Sequence, residues 1–406
     1  MMIEKRILEF EKLGFGMFVH FGLYSVLGKG EWAMSDTNIV SRQSYKELID
    51  QFCVKEGFFR EIAETAKNAG CKYIILTTRH HDGFSLYDTK GLSEFDVMKS
   101  PTKRDLVKEF VDECNNFGLI PFLYHTGVDW TRESFNNDFK SYLEYLRESV
   151  ELLCTNYGKI GGFWFDGFWD RDDWEFDKLT GVIRKYQPDS IIVLNRGLVK
   201  NEKHNHDVDC LTFERHNPRK ESEIDDKYRA REMCQVIHDH WGYASFDFNM
   251  KSTKALLNDF CCCRKFNSNF VLNVGPSLKG LSLQEKAVFD VFGRWIEIQG
   301  DVVFNGEIQD QMIVDNDNDF VKKLGEDYYL FVHNLTTTGD INVALELREA
   351  KPVMISNFDR EVLSVQWLDN DENLQYSREG QNIKVKCTNF SYSKNLIVRI
   401  AKIKVK

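Results

Sequence analysis

The chain has 406 residues, with 53 Lys and Arg against 63 Asp and Glu, a formal net charge of −10. That balance excludes a dedicated nucleic-acid binder, which needs clustered positive charge to neutralise phosphates. A hydrophobic fraction of 42% supports a sizeable core, and the length suits a large domain joined to a smaller one.

The N-terminus, MMIEKRILEFEKLGFGMF, has no apolar run of signal-peptide length and no small-residue cleavage site. No stretch approaches 18 consecutive apolar residues, so no membrane association is expected and the predicted location is cytoplasmic. The 10 Cys form no CxxC pair and no C…C…H…H spacing, which predicts reduced, mostly buried thiols rather than zinc ligands or a disulfide framework.

In chain order, residues 72–78 (KYIILTT) form a predicted buried strand. Residues 106–117 have helical apolar spacing and stop before Gly118. A strand at 119–125 (LIPFLYH), a helix at 139–157, a strand at 161–166 (GGFWFD), a helix at 176–186 and a strand at 190–195 (SIIVLN) follow. A further strand-like run, VDCLTFE, covers 208–214, and a final helix at 281–299 carries Trp295. Alternation of this kind predicts a parallel sheet. The count and span favour a (β/α)8-like (TIM) barrel over residues 1–300. After Gly300 short alternating segments at 328–333, 341–347, 352–356, 383–386 and 395–403 predict an antiparallel β-sandwich over residues 301–406.

Polar residues recur where the strand runs end: His20, Arg79-His80-His81, Tyr124-His125, Asp166, Asn195-Arg196 and Glu214. A barrel builds its active site at these C-terminal strand ends. Asp166, held among aromatics in WFDG, has the chemistry of a nucleophile or a general acid/base; a loop aspartate capping the next helix is the competing reading. Glu214 supplies the second carboxylate that glycosidic bond cleavage requires. Glu232, in REMC, competes with it, or is an exposed helix residue. His80 and His81 lack the i,i+4 spacing of a metal-binding helix, and neutral imidazoles are good partners for sugar hydroxyls. Glu31-Trp32 sets a carboxylate beside an indole, which suits a sugar with polar edges and an apolar face. Trp130, Trp164, Trp169 and Trp241 lie near other strand-end loops, and Trp164 shares the face of Asp166 by the two-residue period. No phosphate-binding glycine loop, no dinucleotide fingerprint and no serine nucleophile elbow is present.

The blocks FGMFVHFGLYS, GEWAM, KYIILTTRHHDGFSLYDT, KRDLVKEF, WFDG, LNRG, HWGY and LNVGPSLKGLS occur in that order along the chain. In them the chain resembles the α-L-fucosidases of glycoside hydrolase family 29. The resemblance implies a retaining exo-acting hydrolysis of terminal α-L-fucosyl groups on oligosaccharides or glycoconjugates, with no metal or organic cofactor. It matches Asp166 to the nucleophile and Glu214 to the acid/base, with Glu232 as the alternative acid/base. It matches His20, Glu31, Trp32, His80, His81, Tyr124, Trp164 and Arg196 to fucose-binding positions, and Trp241 to an aromatic near the sugar methyl. His125 departs from the family pattern, with an effect expected on the outer face of its strand. The competing functions are a glycosidase of the same fold with shifted sugar specificity and a non-catalytic carbohydrate-binding relative.

Overall fold

The computed structural model describes residues 3–168, 171, 173–195, 207–218, 228–339 and 350–406. The chain groups into two compact units, Met1–Lys251 with Ser268–Asp290, and Ser252–Asn267 with Val291–Lys406.

In the first unit eight strands close into a barrel in sequence order: β1 (Phe15–Val19), β2 (Tyr73–Arg79), β3 (Ile120–Thr126), β4 (Gly162–Asp166), β5 (Ile191–Leu194), β6 (Cys210–Glu214), β7 (Ala230–Val236) and β8 (Asn269–Val274). Every neighbouring pair is parallel, so every C-terminal strand end opens on the same face. Helices Phe58–Asn68, Leu106–Asn116, Phe139–Thr155 and Phe176–Tyr186 make the crossovers from β1 through to β5. The helix Leu106–Asn116 shows why these segments form. Asp105 caps it by accepting from the Lys108 amide at 2.9 Å, worth about 1 kcal/mol. Its Leu106, Val107, Phe110, Val111 and Cys114 are buried, and Gly118 turns left-handed just beyond its end.

Alternate strand residues fill the barrel interior: Tyr73 and Ile75, Phe122 and Tyr124, Ile191 and Val193, joined by Phe18, Trp164, Cys210, Ala230, Cys234 and Val271. Gly162 makes room for this layer, because a Cβ there would fall 2.1 Å from the Phe122 ring. Phe10, on the helix Lys5–Glu11, packs its ring against Tyr73 and Phe122 at 5.6 Å from each.

The second unit contains two antiparallel sheets. One orders Ile313–Val314, Lys351–Ser356, Asn382–Cys387 and Tyr376–Glu379. The other orders Val362–Trp367, Val398–Val405, Asp327–His333, Phe320–Leu324 and Glu307–Ile308. Leu330, Val332, Val353, Ile355, Trp367, Val385 and Ile403 belong to its core. This is the predicted β-sandwich. Trp295 is buried in this unit, its indole N–H donating to the Val398 carbonyl at 2.9 Å. One short helix after Gly300, Val302–Asn305, was not anticipated by the strand-like texture. The strand predicted at 341–347 lies outside the described residues.

Candidate active site

A pocket of about 80 Å3 opens at the C-terminal face of the barrel, lined by Phe18, His20, Trp32, His80, His81, Trp164, Asp166, Asn195, Glu214 and Trp241. Five strand ends and two loops therefore converge on one cavity. Asp166 is the last residue of β4 and Glu214 the last of β6, while Asn195 directly follows β5 between them.

The Asn195 side-chain amide links the two carboxylates. Its Nδ2 lies 3.4 Å from Asp166 Oδ1 and 3.1 Å from Glu214 Oε2. Those two oxygens can be no further apart than both lengths laid end to end, about 6.5 Å. Asp166 also accepts from the Tyr124 hydroxyl at 3.0 Å and from the Gly167 amide at 2.9 Å. His81 Nε2 stands 3.6 Å from its other oxygen. Burial pushes Asp166 up to about 7, the Tyr124 hydrogen bond opposes this, and the Glu214 charge adds to it. Gly167 is left-handed at φ +75, and a Cβ on it would fall 2.8 Å from Thr126 Oγ1.

The three pocket histidines are neutral. Burial drives His20 and His81 down to about 3, and His80 well below its ordinary value with help from its histidine neighbours. Asn273 fixes the His20 tautomer. Its Nδ2 donates to the Trp241 carbonyl at 2.7 Å, so its Oδ1 accepts from His20 Nδ1, also at 2.7 Å. His20 Nε2 is thereby left as an acceptor. His81 Nδ1 pairs with Thr126 Oγ1 at 2.6 Å. The two adjacent residues His80 and His81 follow the end of β2, where the turning chain directs both into the pocket.

Aromatic rings form the walls. Trp164 lies on Tyr124 (centroids 5.5 Å apart, planes at 22°), and Phe18 meets Trp164 edge-on at 5.1 Å. Trp241 packs on His20 at 5.0 Å, with the Arg215 guanidinium 5.3 Å from its ring. At the mouth, half-exposed Trp32 contacts Trp130 at 5.2 Å and His81 at 5.3 Å. Glu31 is buried behind it and accepts from the Gly242 amide at 2.8 Å, tying Trp32's loop to Trp241's.

Not every predicted site residue lines the pocket. Tyr124 reaches it through Asp166, and Glu31 through Gly242. Glu232 is neither exposed nor helical. It lies on β7, fully buried, where its position in the two-residue alternation with Ala230 and Cys234 turns it inward. Burial pushes it up to about 7. His125 is buried beside Tyr87, with 3.5 Å between His125 Nε2 and the hydroxyl, and does not line the pocket. Arg196 and Trp169 lie outside the described residues. Asn195 and Phe18 line the pocket and are the residues that sequence reasoning passed over; Asn195 is the one that touches the carboxylates. Its place at a strand end was visible, but a neutral amide carries none of the chemistry that marks a candidate. Among the described residues no group of three His, Cys, Asp or Glu side chains is placed to hold a metal ion.

Residues 4–301 match the family model described as Alpha-L-fucosidase, which is most of the chain and all of the barrel. The chain belongs to the α-L-fucosidase family, glycoside hydrolase family 29. Fucosidase relatives share both sequence and fold with it. A putative α-L-fucosidase of Caenorhabditis elegans is 26% identical over 327 residues, 71% of this chain and 65% of that protein. The chain thus spans just under two thirds of that relative's length. The α-L-fucosidase isoenzyme 1 of Paenibacillus thiaminolyticus has the same fold, with a TM-score of 0.82 at 24% identity over 99% of both chains. An α-L-fucosidase of Bacteroides thetaiotaomicron, solved as a trapped covalent intermediate with 2-fluoro-fucosyl fluoride, superposes with a TM-score of 0.81 at 21% identity. That match covers 100% of this chain and 97% of the other.

Proposed function

We propose that this chain is an exo-acting α-L-fucosidase that hydrolyses terminal α-L-fucosyl groups with retention of configuration. The observation that carries the reading is the pair of carboxylates, Asp166 and Glu214, held on one amide at the floor of an aromatic pocket. Family membership and the trapped covalent intermediate of the Bacteroides enzyme support it.

Asp166 is assigned as nucleophile because three donors converge on it: the Tyr124 hydroxyl, the Gly167 amide and the Asn195 amide. Donors aimed at a carboxylate favour its ionised form. The Glu214 carboxylate accepts only from Asn195 among its described hydrogen bonds and is the more exposed of the two, which leaves it open towards the leaving group and the incoming water, so it is assigned as acid/base. In the first step Asp166 attacks the anomeric carbon while Glu214 protonates the departing oxygen. The transition state is oxocarbenium-like and the product is a fucosyl ester on Asp166. Esterification removes one negative charge from the pair. Glu214, now the only anion there, takes a proton from water as that water displaces the ester.

Specificity follows from the lining. Neutral His20, His80 and His81 offer hydrogen bonds to the sugar hydroxyls. Trp241 and Phe18, with rings 6.0 Å apart, give an apolar wall for the fucose methyl.

The test is nitrophenol release from 4-nitrophenyl α-L-fucoside by wild type and by Asp166→Gly. The expected result is turnover in wild type, a loss on the order of 10³-fold or more in the variant, and partial recovery with azide as replacement nucleophile. A variant that keeps wild-type turnover would remove Asp166 from the mechanism.

A further inference from the structure

We infer that Glu232 is a positioning residue that sets the pocket wall and, through it, the orientation of Asp166. The inference rests on the fucosidase reading of the site and adds a component to it.

Glu232 has two donors and each fills one oxygen. Tyr73 donates its hydroxyl to Oε2 at 2.7 Å, and Trp164 donates its indole N–H to Oε1 at 2.9 Å. All three residues are buried, and their hydrogen bonds link β2, β4 and β7 across the barrel interior. A carboxyl group taken out of water is costly, and this one lies among Tyr73, Trp164, Cys210, Ala230 and Cys234. A barrel interior has no need of it for packing, since an apolar side chain of similar volume fills such a site without that cost. What the carboxyl group does here is hold the indole by its nitrogen.

Trp164 joins that buried contact to the reacting groups. It lines the pocket, it lies on the Tyr124 ring, and the Tyr124 hydroxyl donates to Asp166 Oδ2. Asp166 is two residues beyond Trp164 on the same strand and the same face. The order of contact is Glu232, Trp164, Tyr124, Asp166. Glu232 does not itself line the pocket, and so does not reach the departing oxygen. The same carboxyl group as acid/base would have to leave both donors and enter the cavity. A positioning residue changes the fit of the sugar and the aim of the nucleophile alike, without preference for the leaving group.

The experiment compares wild type, Glu232→Gln and Glu214→Gln on 4-nitrophenyl α-L-fucoside and on a fucosyl disaccharide, with and without azide. For Glu232→Gln the expected loss in kcat/KM is about tenfold, equal for both substrates, with KM raised, the pH profile unchanged in shape and no response to azide. For Glu214→Gln the loss should be far larger on the disaccharide, whose leaving group needs the proton. Azide rescue or leaving-group dependence in Glu232→Gln would make Glu232 the acid/base and overturn the inference, as would wild-type kinetics. Should Glu232→Gln fail to fold, Trp164→Phe keeps a ring and removes the donor of the contact together with part of the indole. It should show the same equal loss on both substrates, and wild-type kinetics there would overturn the inference equally. A wild type inactive on both substrates would instead count against the fucosidase reading, and these outcomes separate the two.

Discussion

Asp166 is under two opposed influences. Burial and the Glu214 charge push its proton affinity up to about 7, while Tyr124, the Gly167 amide and Asn195 favour the ionised form. Tyr124→Phe removes a donor from the anion alone, so the folded-state affinity must rise further. The nucleophile works ionised, and kcat/KM therefore falls as pH drops through that value. The acid limb of the kcat/KM profile should shift to higher pH in Tyr124→Phe, with a several-fold greater loss at pH 6 than at pH 8; an unmoved limb would show that Tyr124 does not tune Asp166. At this scale the sequence was uneven. Asp166, Glu214 and the histidines announce themselves by residue type at strand ends. Asn195 is equally close to the chemistry and silent, because what it contributes is a distance, and distances between β4, β5 and β6 exist only after the barrel closes.

The turn after β4 shows how much an element constrains the site. Gly167, whose amide donates to Asp166 Oδ1, is left-handed and has no room for a side chain beside Thr126, Val128 and His81. Gly167→Ala places a methyl at 2.8 Å from Thr126 Oγ1 in a backbone conformation that L residues disfavour by about 1–2 kcal/mol. The expected outcome is a Tm lower by several degrees together with a fall in kcat larger than the change in KM, since the displaced groups are Thr126, His81 and Asp166 itself. A variant with wild-type Tm and kcat would mean that the turn relaxes freely. The strands β2, β3, β4 and β5 were legible because their apolar runs and flanking glycines agree with their burial. Strand β7 was not. Its sequence AREMCQV carries Arg, Glu and Gln, and the inward Glu232 interrupts the apolar alternation that marks a strand. The feature that hid the element is the feature that contributes to the site.

Across the whole molecule the ten cysteines are free. Only Cys53 is exposed, Cys262 is partly covered, and the other eight are buried. Burial raises the thiol affinity for its proton at Cys71, Cys114, Cys210, Cys234 and Cys263, among others, which lowers their reactivity further. Titration with a thiol reagent should count one to two fast groups in the native protein and ten after denaturation; a native count near ten would contradict the packing. The antiparallel strands of the second unit were announced by a change of texture near Gly300, where helix spacing gives way to short alternating runs. The strands Phe320–Leu324, Val362–Trp367 and Tyr376–Glu379 escaped notice, being short and rich in lysine, serine, glutamine and glutamate.

The neutrality of His20, His80 and His81 has a consequence for what the cavity can attract. From about pH 5 to pH 8 none of the three changes charge, so the electrostatic potential inside is set by the carboxylates at its floor. That potential turns steadily more negative as Asp166 gives up its proton. A cationic ring, resembling the charge that develops on the sugar during cleavage, is drawn in more strongly on the alkaline side of this range. An acidic sugar is repelled more strongly over the same interval. Charge discrimination is thus carried by the groups that break the bond, while the imidazoles form a polar lining whose charge does not change.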